Sequence, residues 1–209
     1  MHVLVADDHS IVREGLKQII RKIEGVSKVE EASDGHEALS KIEKNKYDLV
    51  ILDISMPGLS GLDILKTMKD KNEKAHVLIL SVHPQEQYAI RAFKLGAAGY
   101  LCKDSINEEL SSAIKKIAVG SKYISPAFAE KIAFDKNGDI NKLPHEKLSE
   151  REFQIMCMLA NGKTVKEIAN ELNISDKTVS THRMRLLEKM GFRNNAELTH
   201  YAIKNNLVE

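Results

Sequence analysis

Residues 1–120 alternate two hydrophobic periods, and that alternation limits the possible folds more than any other feature. Unbroken apolar runs stand at VLVA (3–6), LVIL (49–52), VLIL (77–80) and YLC (100–102), with a weaker one at VEEA (29–32). A strand that is apolar on both faces needs cover on both, as inside a parallel sheet. Between the runs, residues 10–23, 35–44, 61–71, 85–95 and 106–118 have helical character. In the first of these, Ile11, Leu16, Ile19, Ile20 and Ile23 recur at helical spacing behind Ser10, a suitable N-cap. Five strand–helix repeats predict a doubly wound α/β domain around a five-stranded parallel sheet.

After Gly120 the pattern stops. Within 121–145, SPAFAEKIAF could form a short helix, and DKNGDINKLP is rich in turn formers, so this stretch is expected to be a linker. From Leu148 onward the period is helical. Ser149-Glu150-Arg151-Glu152 and Thr164-Val165-Lys166-Glu167 fit the capping box, and Ser175 precedes another helical run. The expected organisation is an α/β domain over 1–120, a linker over 121–145, and a small all-α domain of four helices over 146–209. Cys102 and Cys157 lack metal-ligand spacing, and both are expected to pack as small buried hydrophobes in a reducing compartment. The chain meets Asp7 before a signal-peptide core could form, and no apolar run approaches membrane-spanning length. A cytoplasmic protein without membrane contact is expected.

In open α/β sheets, ligands bind beyond the carboxyl ends of the strands. Strand one ends on Asp7 and Asp8, strand three on Asp53, strand four on Ser81 and strand five on Lys103. With strands one and three adjacent, as in the flavodoxin-like order, three carboxylates share one crevice, which requires a cation. Hard oxygen ligands without a His or Cys partner point to Mg²⁺. Lys103 suits a phosphate oxygen, the Ser81 hydroxyl can donate to another, and a carboxylate can itself be a nucleophile. Asp53 is the best placed of the three, because it is single, follows a buried strand and precedes a Met-Pro-Gly turn. His9 and His83 are read as ordinary polar residues with no metal-ligand partners.

ADDH, LVILDISMPGLSG, LSVH and GAAGYLCKD, in this order and spacing, resemble the receiver domain of two-component response regulators. The resemblance covers essentially all of residues 1–120. It implies that Asp53 is the phosphoacceptor, Asp8 a direct Mg²⁺ ligand and Asp7 a ligand through water, with the Ser55 backbone carbonyl completing the set. It also implies that Ser81 and Tyr100 form a switch pair and that Lys103 contacts the phosphate. Ser55 and His83, two positions past Asp53 and Ser81, occupy places where side chains tune hydrolysis of the aspartyl phosphate.

In TVKEIANELNISDKTVSTHRMRLLEKMG, two helices meet at a turn at Asn173-Ile174. Val165, Ile168, Ala169 and Leu172 form one apolar stripe. At 100° per residue, Val179, Leu186 and Met190 share the core face of the second helix, and Lys177, Ser180, Thr181, Met184 and Glu188 the opposite face. Lysines and arginines nearly cancel aspartates and glutamates over the chain, 31 against 30, so only a local patch can signal nucleic acid. Residues 177–193 carry five basic residues against one Glu. Arg183, Arg185, Lys189 and Arg193 are natural phosphate contacts. LSEREFQIMCMLANGKTVKEIANELNISDKTVSTHRMRLLEKMG resembles the LuxR-type DNA-binding domain from Leu148 to about Val208. A receiver joined to it is the NarL/FixJ class. The resemblance implies that Ser180, Thr181 and Met184 face bases, that Lys166 and Lys177 reach the backbone, and that Thr178 is among the DNA-contacting residues. Base-facing positions in this class often carry Lys, so Met184 is a departure, suited to a thymine methyl.

The resulting expectation is a transcription regulator, not an enzyme, switched by phosphorylation of Asp53 with Mg²⁺. Its partners would be a cognate sensor histidine kinase and double-stranded DNA, with a homodimer as the active form. Two alternatives stay open: a regulator that binds DNA without phosphorylation, and a Mg²⁺-dependent phosphatase with an aspartyl nucleophile. The second would need an acid two residues past the nucleophile, where this chain has Ser55.

Overall fold

The apolar runs become strands. β1 (His2–Ala6), β2 (Lys28–Ala32), β3 (Leu49–Asp53), β4 (His76–Ser81) and β5 (Gly99–Cys102) form one parallel sheet in the order β2-β1-β3-β4-β5. The computed structural model describes residues 1–82, 85–126, 128–129, 144–205 and 207–208. β3 is buried along its whole length, and Val3–Ala6 and Val77–Ser81 are buried too, as strands covered on both faces must be. Register pairs Ala6 with Leu52 and Asp53 with Leu80, which brings the carboxyl ends of β1, β3 and β4 to one level. β2 is the weak run for a physical reason. It is an edge strand whose Glu30 meets His2, Lys28 and the Tyr47 hydroxyl, and whose Glu31 meets Lys17, so charge blunts the exposed edge.

Helices α1 (Ser10–Ile20), α2 (Gly35–Lys44), α3 (Gly61–Asp70), α4 (Gln85–Leu95) and α5 (Ile106–Ala118) follow the strands. α1 begins one residue earlier than expected. His9, not Ser10, is its N-cap, because the Asp7 carboxylate accepts the His9 backbone N–H at 2.8 Å and turns the chain there. At 100° per residue Ile11 lies off the stripe of Leu16, Ile20 and Ile23, and it is 87% exposed while they stay in the core. Asp34 caps α2, and Ser60 with Asp63 forms a capping box at α3. The sheet pattern also outlasts Gly120: Tyr123 bridges Gly99 and packs in the core with Ile114 and Ile117. Cys157 is buried as expected, whereas Cys102 is only half-buried, and neither forms a disulfide. The chain divides into two compact units, Met1–Phe134 and Asp135–Glu209. Most of SPAFAEKIAF, all of DKNGDINKL and His83 lie outside the described residues.

The second unit contains a 3₁₀ turn (Pro144–Lys147) and helices α6 (Glu150–Ala160), α7 (Val165–Glu171), α8 (Asp176–Met190) and α9 (Asn195–Lys204). The capping boxes at Ser149 and Thr164 form, and the Ser175 hydroxyl accepts the Thr178 N–H. α7 and α8 are joined through Asn173, whose φ of 50° is the left-handed conformation that lets so short a turn close. Ile168, Ala169, Leu172, Val179, Leu186 and Met190 are buried, and α6 packs against α8 and α9. Among the described residues no helix is long and apolar enough to cross a membrane.

Candidate functional site

The site stands where the strands of the first unit end. Asp7 follows β1 and is fully buried, Asp8 is half-buried, and Asp53 ends β3 with 2% exposure. Lys103 follows β5 and reaches both buried carboxylates, its ammonium lying 2.7 Å from Asp7 Oδ2 and 2.9 Å from Asp53 Oδ2. The single ammonium thus partly offsets the buried charge of both carboxylates. Three carboxylates against one ammonium leave surplus negative charge. The donor set is all hard oxygen in its buried part, so the pocket of Asp7, Asp8 and Asp53 is compatible with a metal ion.

Two features hold this geometry that the sequence reading missed. Arg13, one turn into α1, donates from Nη1 to the Asp7 carbonyl at 2.7 Å. Gly61 opens α3 against the backbone of β3, and a Cβ there would stand 2.3 Å from the Asp53 carbonyl oxygen. The chain between them turns tightly, since the Gly61 N–H reaches the Ile54 carbonyl and the Ile54 N–H the Leu80 carbonyl. The Met-Pro-Gly-Leu-Ser-Gly stretch signals such a turn, but only the coordinates show that Gly61 is the contact.

Burial pushes the Asp53 carboxyl up to about 6. The Lys103 ammonium opposes this, the Asp7 charge adds to it, and the Ser55 backbone N–H helps the carboxylate. Burial acts to lower the Lys103 ammonium, but Asp53 and Asp7 outweigh it and the net shift is upward. Ser81 and Tyr100 are each only 1% exposed. Both side chains of the expected switch pair are therefore inside the fold. His9, expected to have no metal-ligand partners, stands beside two carboxylates, its Nδ1 2.7 Å from Asp8 Oδ1 and 3.3 Å from Asp7 Oδ1.

In the second unit, the phase expected for α8 is observed. Val179, Leu186 and Met190 are buried, and Lys177, Thr178, Ser180, Arg185 and Glu188 are exposed, as is Met184 at 65%. Lys166 on α7 is exposed as well. Three residues differ from expectation in what they touch. Lys189, expected to hold a phosphate, pairs with the buried Glu152 carboxylate at 2.6 and 2.9 Å. Burial pushes Glu152 up, but Lys189 and the Ser149 N–H outweigh it, and its pKa ends low. Arg183 is half-buried and donates from Nε to Asn195 Oδ1 at 2.8 Å. Thr181 is half-buried and turns its hydroxyl back to the Lys177 carbonyl at 2.9 Å. In each case the side chain finds a partner within its own domain that helical periodicity alone cannot reveal.

Known proteins resemble the chain over its whole length. The family model of the response regulator receiver domain matches residues 3–115, and that of the bacterial regulatory proteins of the luxR family matches residues 146–202. Response regulator UvrY of Escherichia coli K12 is 36% identical over 208 residues, covering 99% of this chain and 95% of that protein. Response regulator GacA of Pseudomonas aeruginosa is 35% identical over 208 residues, covering 99% and 97%. Among solved structures, RcsB from Salmonella enterica serovar Typhimurium, bound to promoter rprA in the presence of phosphomimetic BeF3-, is 27% identical. It matches with a TM-score of 0.66 over 96% of this chain and 97% of that one. Another, a complex of the two-component response regulator RcsB with DNA, is 26% identical with a TM-score of 0.60 over 96% of each chain. The chain belongs to the response regulators of the NarL/FixJ class, a receiver joined to a LuxR-type DNA-binding domain, and its function is phosphorylation-controlled regulation of transcription.

Proposed function

We propose that Asp53 is the residue phosphorylated, with Mg²⁺ as the cofactor and double-stranded DNA as the target. The observation that carries this reading is the convergence of Asp7, Asp8, Asp53 and the Lys103 ammonium at one end of the sheet. Asp8, Asp53 and the Ser55 backbone carbonyl would hold Mg²⁺ directly, and Asp7 through water. When bound, the ion supplies positive charge against the phosphoryl oxygens. A carboxylate oxygen of Asp53 attacks phosphorus while the bond from phosphorus to the donor breaks. The donor leaves with that electron pair: an imidazole nitrogen of a sensor histidine kinase, or the carboxylate oxygen of acetyl phosphate. Lys103 then turns from the Asp53 carboxylate to the phosphoryl oxygens, and the Ser81 hydroxyl donates to another. Tyr100, buried on β5, is the side chain through which a change at Ser81 reaches the face of β4, β5 and their helices.

On the DNA side, α8 is the groove-reading helix. Ser180, Thr181 and Met184 face bases, and Lys166, Lys177, Thr178, Arg183 and Arg185 contact the backbone. Arg183 does so with its terminal nitrogens, since Nε is bonded to Asn195. Lys189 supports the helix through Glu152 instead. The receiver spans 1–120, the connector 121–145 and the DNA-binding domain 146–209. The active form is a homodimer that reads two half-sites, and it works in the cytoplasm. The luxR-family match and the RcsB complex with DNA support the DNA part of this reading.

Incubation with acetyl phosphate and Mg²⁺ tests the acceptor. One acid-labile phosphoryl group should be added to the wild type, and none to Asp53→Ala, which has no oxygen to attack. Full labelling of Asp53→Ala would refute the assignment, and normal labelling of Asp8→Ala would refute the role of the metal.

A further inference from the structure

The connector begins with a residue held more firmly than a linker requires. After α5 the chain turns back past Gly120 and reaches the outer edge of β5. There the Tyr123 backbone N–H donates to the Ala98 carbonyl at 2.8 Å, while the Ala98 N–H donates to the Val77 carbonyl, so Tyr123 continues the sheet beyond β5. Gly99 permits this approach, because a Cβ there would stand within 3.1 Å of Leu78 Cδ1, Ile117 Cδ1 and Tyr123 Cβ. Tyr123 is 3% exposed, it shares the core with Leu78, Ile114 and Ile117, and the Lys116 ammonium lies 5.5 Å from its ring centroid. Its hydroxyl donates to Glu109 Oε2, in the first turn of α5. Burial, and then the bond to Glu109, push the phenol well above its ordinary range, so it stays a donor.

Tyr123 therefore grips β5 with its backbone and α5 with its hydroxyl. The junction between those two elements is the 3₁₀ turn Lys103–Ser105, and it starts with the ammonium that pairs with Asp7 and Asp53. A movement of Lys103 from Asp53 toward a phosphoryl group pulls on that junction and shifts β5 against α5. A hydrogen bond spanning the two elements senses such a shift, because it weakens steeply with misalignment. We propose that Tyr123 is the positioning residue that holds the connector in the unphosphorylated form, and that phosphorylation frees the connector by breaking the bond to Glu109. The proposal rests on the reading that Asp53 is phosphorylated and that Lys103 answers the phosphoryl group. A contact made in only one state stabilises that state, and its removal favours the other. By the same linkage, loosening the bond at Tyr123 strengthens binding of a phosphoryl mimic at Asp53.

The test uses the full-length chain with BeF₃⁻ and MgCl₂ as the phosphoryl mimic. Wild type, Tyr123→Phe, Glu109→Ala, the double variant and Asp53→Ala are each checked by circular dichroism for an intact fold. Occupancy is read from the bound ¹⁹F resonances, and opening of the connector from hydrogen exchange of peptides spanning 119–126. The mimic should speed exchange there in the wild type. Tyr123→Phe should exchange fast without the mimic and bind it about threefold more tightly, the scale of one net hydrogen bond. Glu109→Ala should match it, and the double variant should go no further, since both changes remove the same bond. A structural role alone would lower the melting temperature and leave affinity for the mimic unchanged. Equal or weaker binding by Tyr123→Phe, or exchange over 119–126 that the mimic leaves unmoved in the wild type, would overturn the role of Tyr123 while leaving the phosphoryl site standing. Bound ¹⁹F signals that are equal in the wild type and Asp53→Ala, or absent from both, would overturn both readings, because Asp53 would then not hold the mimic.

Discussion

Burial raises the Asp53 carboxyl from 3.8 to about 6, against the pull of Lys103, so the fold pays to keep this carboxylate ionised at neutral pH. The folded pKa lies above the unfolded one. Stability from protonated Asp53 is therefore full below about pH 4 and is lost as pH rises through about 6. Asp53→Asn, which removes the charge and keeps the shape, should raise the melting temperature at pH 7.5 without divalent ions, by up to about 3 kcal/mol of stability. The gap should close near pH 4. Melts that show no gain at pH 7.5 would mean that Lys103 already compensates the buried charge. Gly61 sets a second condition on the same residue. Gly61→Ala forces a methyl against the Asp53 carbonyl and should cost about 2 kcal/mol, with slower labelling by acetyl phosphate. Unchanged labelling and melting would show that the β3–α3 turn gives way easily. At this scale the sequence was partly legible. The adjacent Asp7 and Asp8 at a strand end announce a charged site. That the His9 backbone N–H bonds to Asp7 and opens α1 there is reported by no spacing rule.

At the scale of elements, α8 divides its residues between a buried face that holds the domain and an exposed face proposed to meet DNA. Val179→Ala removes fully buried methyls and should cost the domain about 2 kcal/mol. Lys189→Ala leaves Glu152, 3% exposed, without its cation and should destabilise by about 1–3 kcal/mol. It should leave the salt dependence of DNA binding unchanged. Lys177→Ala or Arg185→Ala should do the reverse, keeping stability and flattening the slope of log K against log salt by about one unit each. Met184→Ala should change neither, but weaken preference at one base pair by on the order of 1 kcal/mol. Parallel melts and salt titrations of the five variants separate these effects, and a flattened slope for Lys189→Ala would return that residue to the DNA face. The helix phase was legible because 3.6-residue periodicity forces Val179, Leu186 and Met190 to one side. The partners of Lys189, Arg183 and Thr181 were not, because they depend on where α6, α9 and the helix's own carbonyls lie.

For the whole molecule, both halves were legible in different ways. The receiver follows from five buried runs whose order at the carboxyl ends places Asp7, Asp8, Asp53 and Lys103 together, and the helical unit from its capping boxes and one basic stretch. What joins them is energetic. Phosphorylation can control DNA binding only if the phosphoryl group interacts differently with two states of the protein, and the same coupling then acts in both directions. Lys103→Ala should still accept phosphate yet lose part of the gain in DNA affinity, since the ammonium would no longer respond to the added dianion. The most direct measurement is capture of sheared genomic DNA by the purified full-length chain, with and without acetyl phosphate and Mg²⁺, beside the same experiment with Asp53→Ala. The account predicts that the phosphodonor enriches a defined set of sites for the wild type and changes nothing for Asp53→Ala. Equal enrichment for both proteins would contradict it.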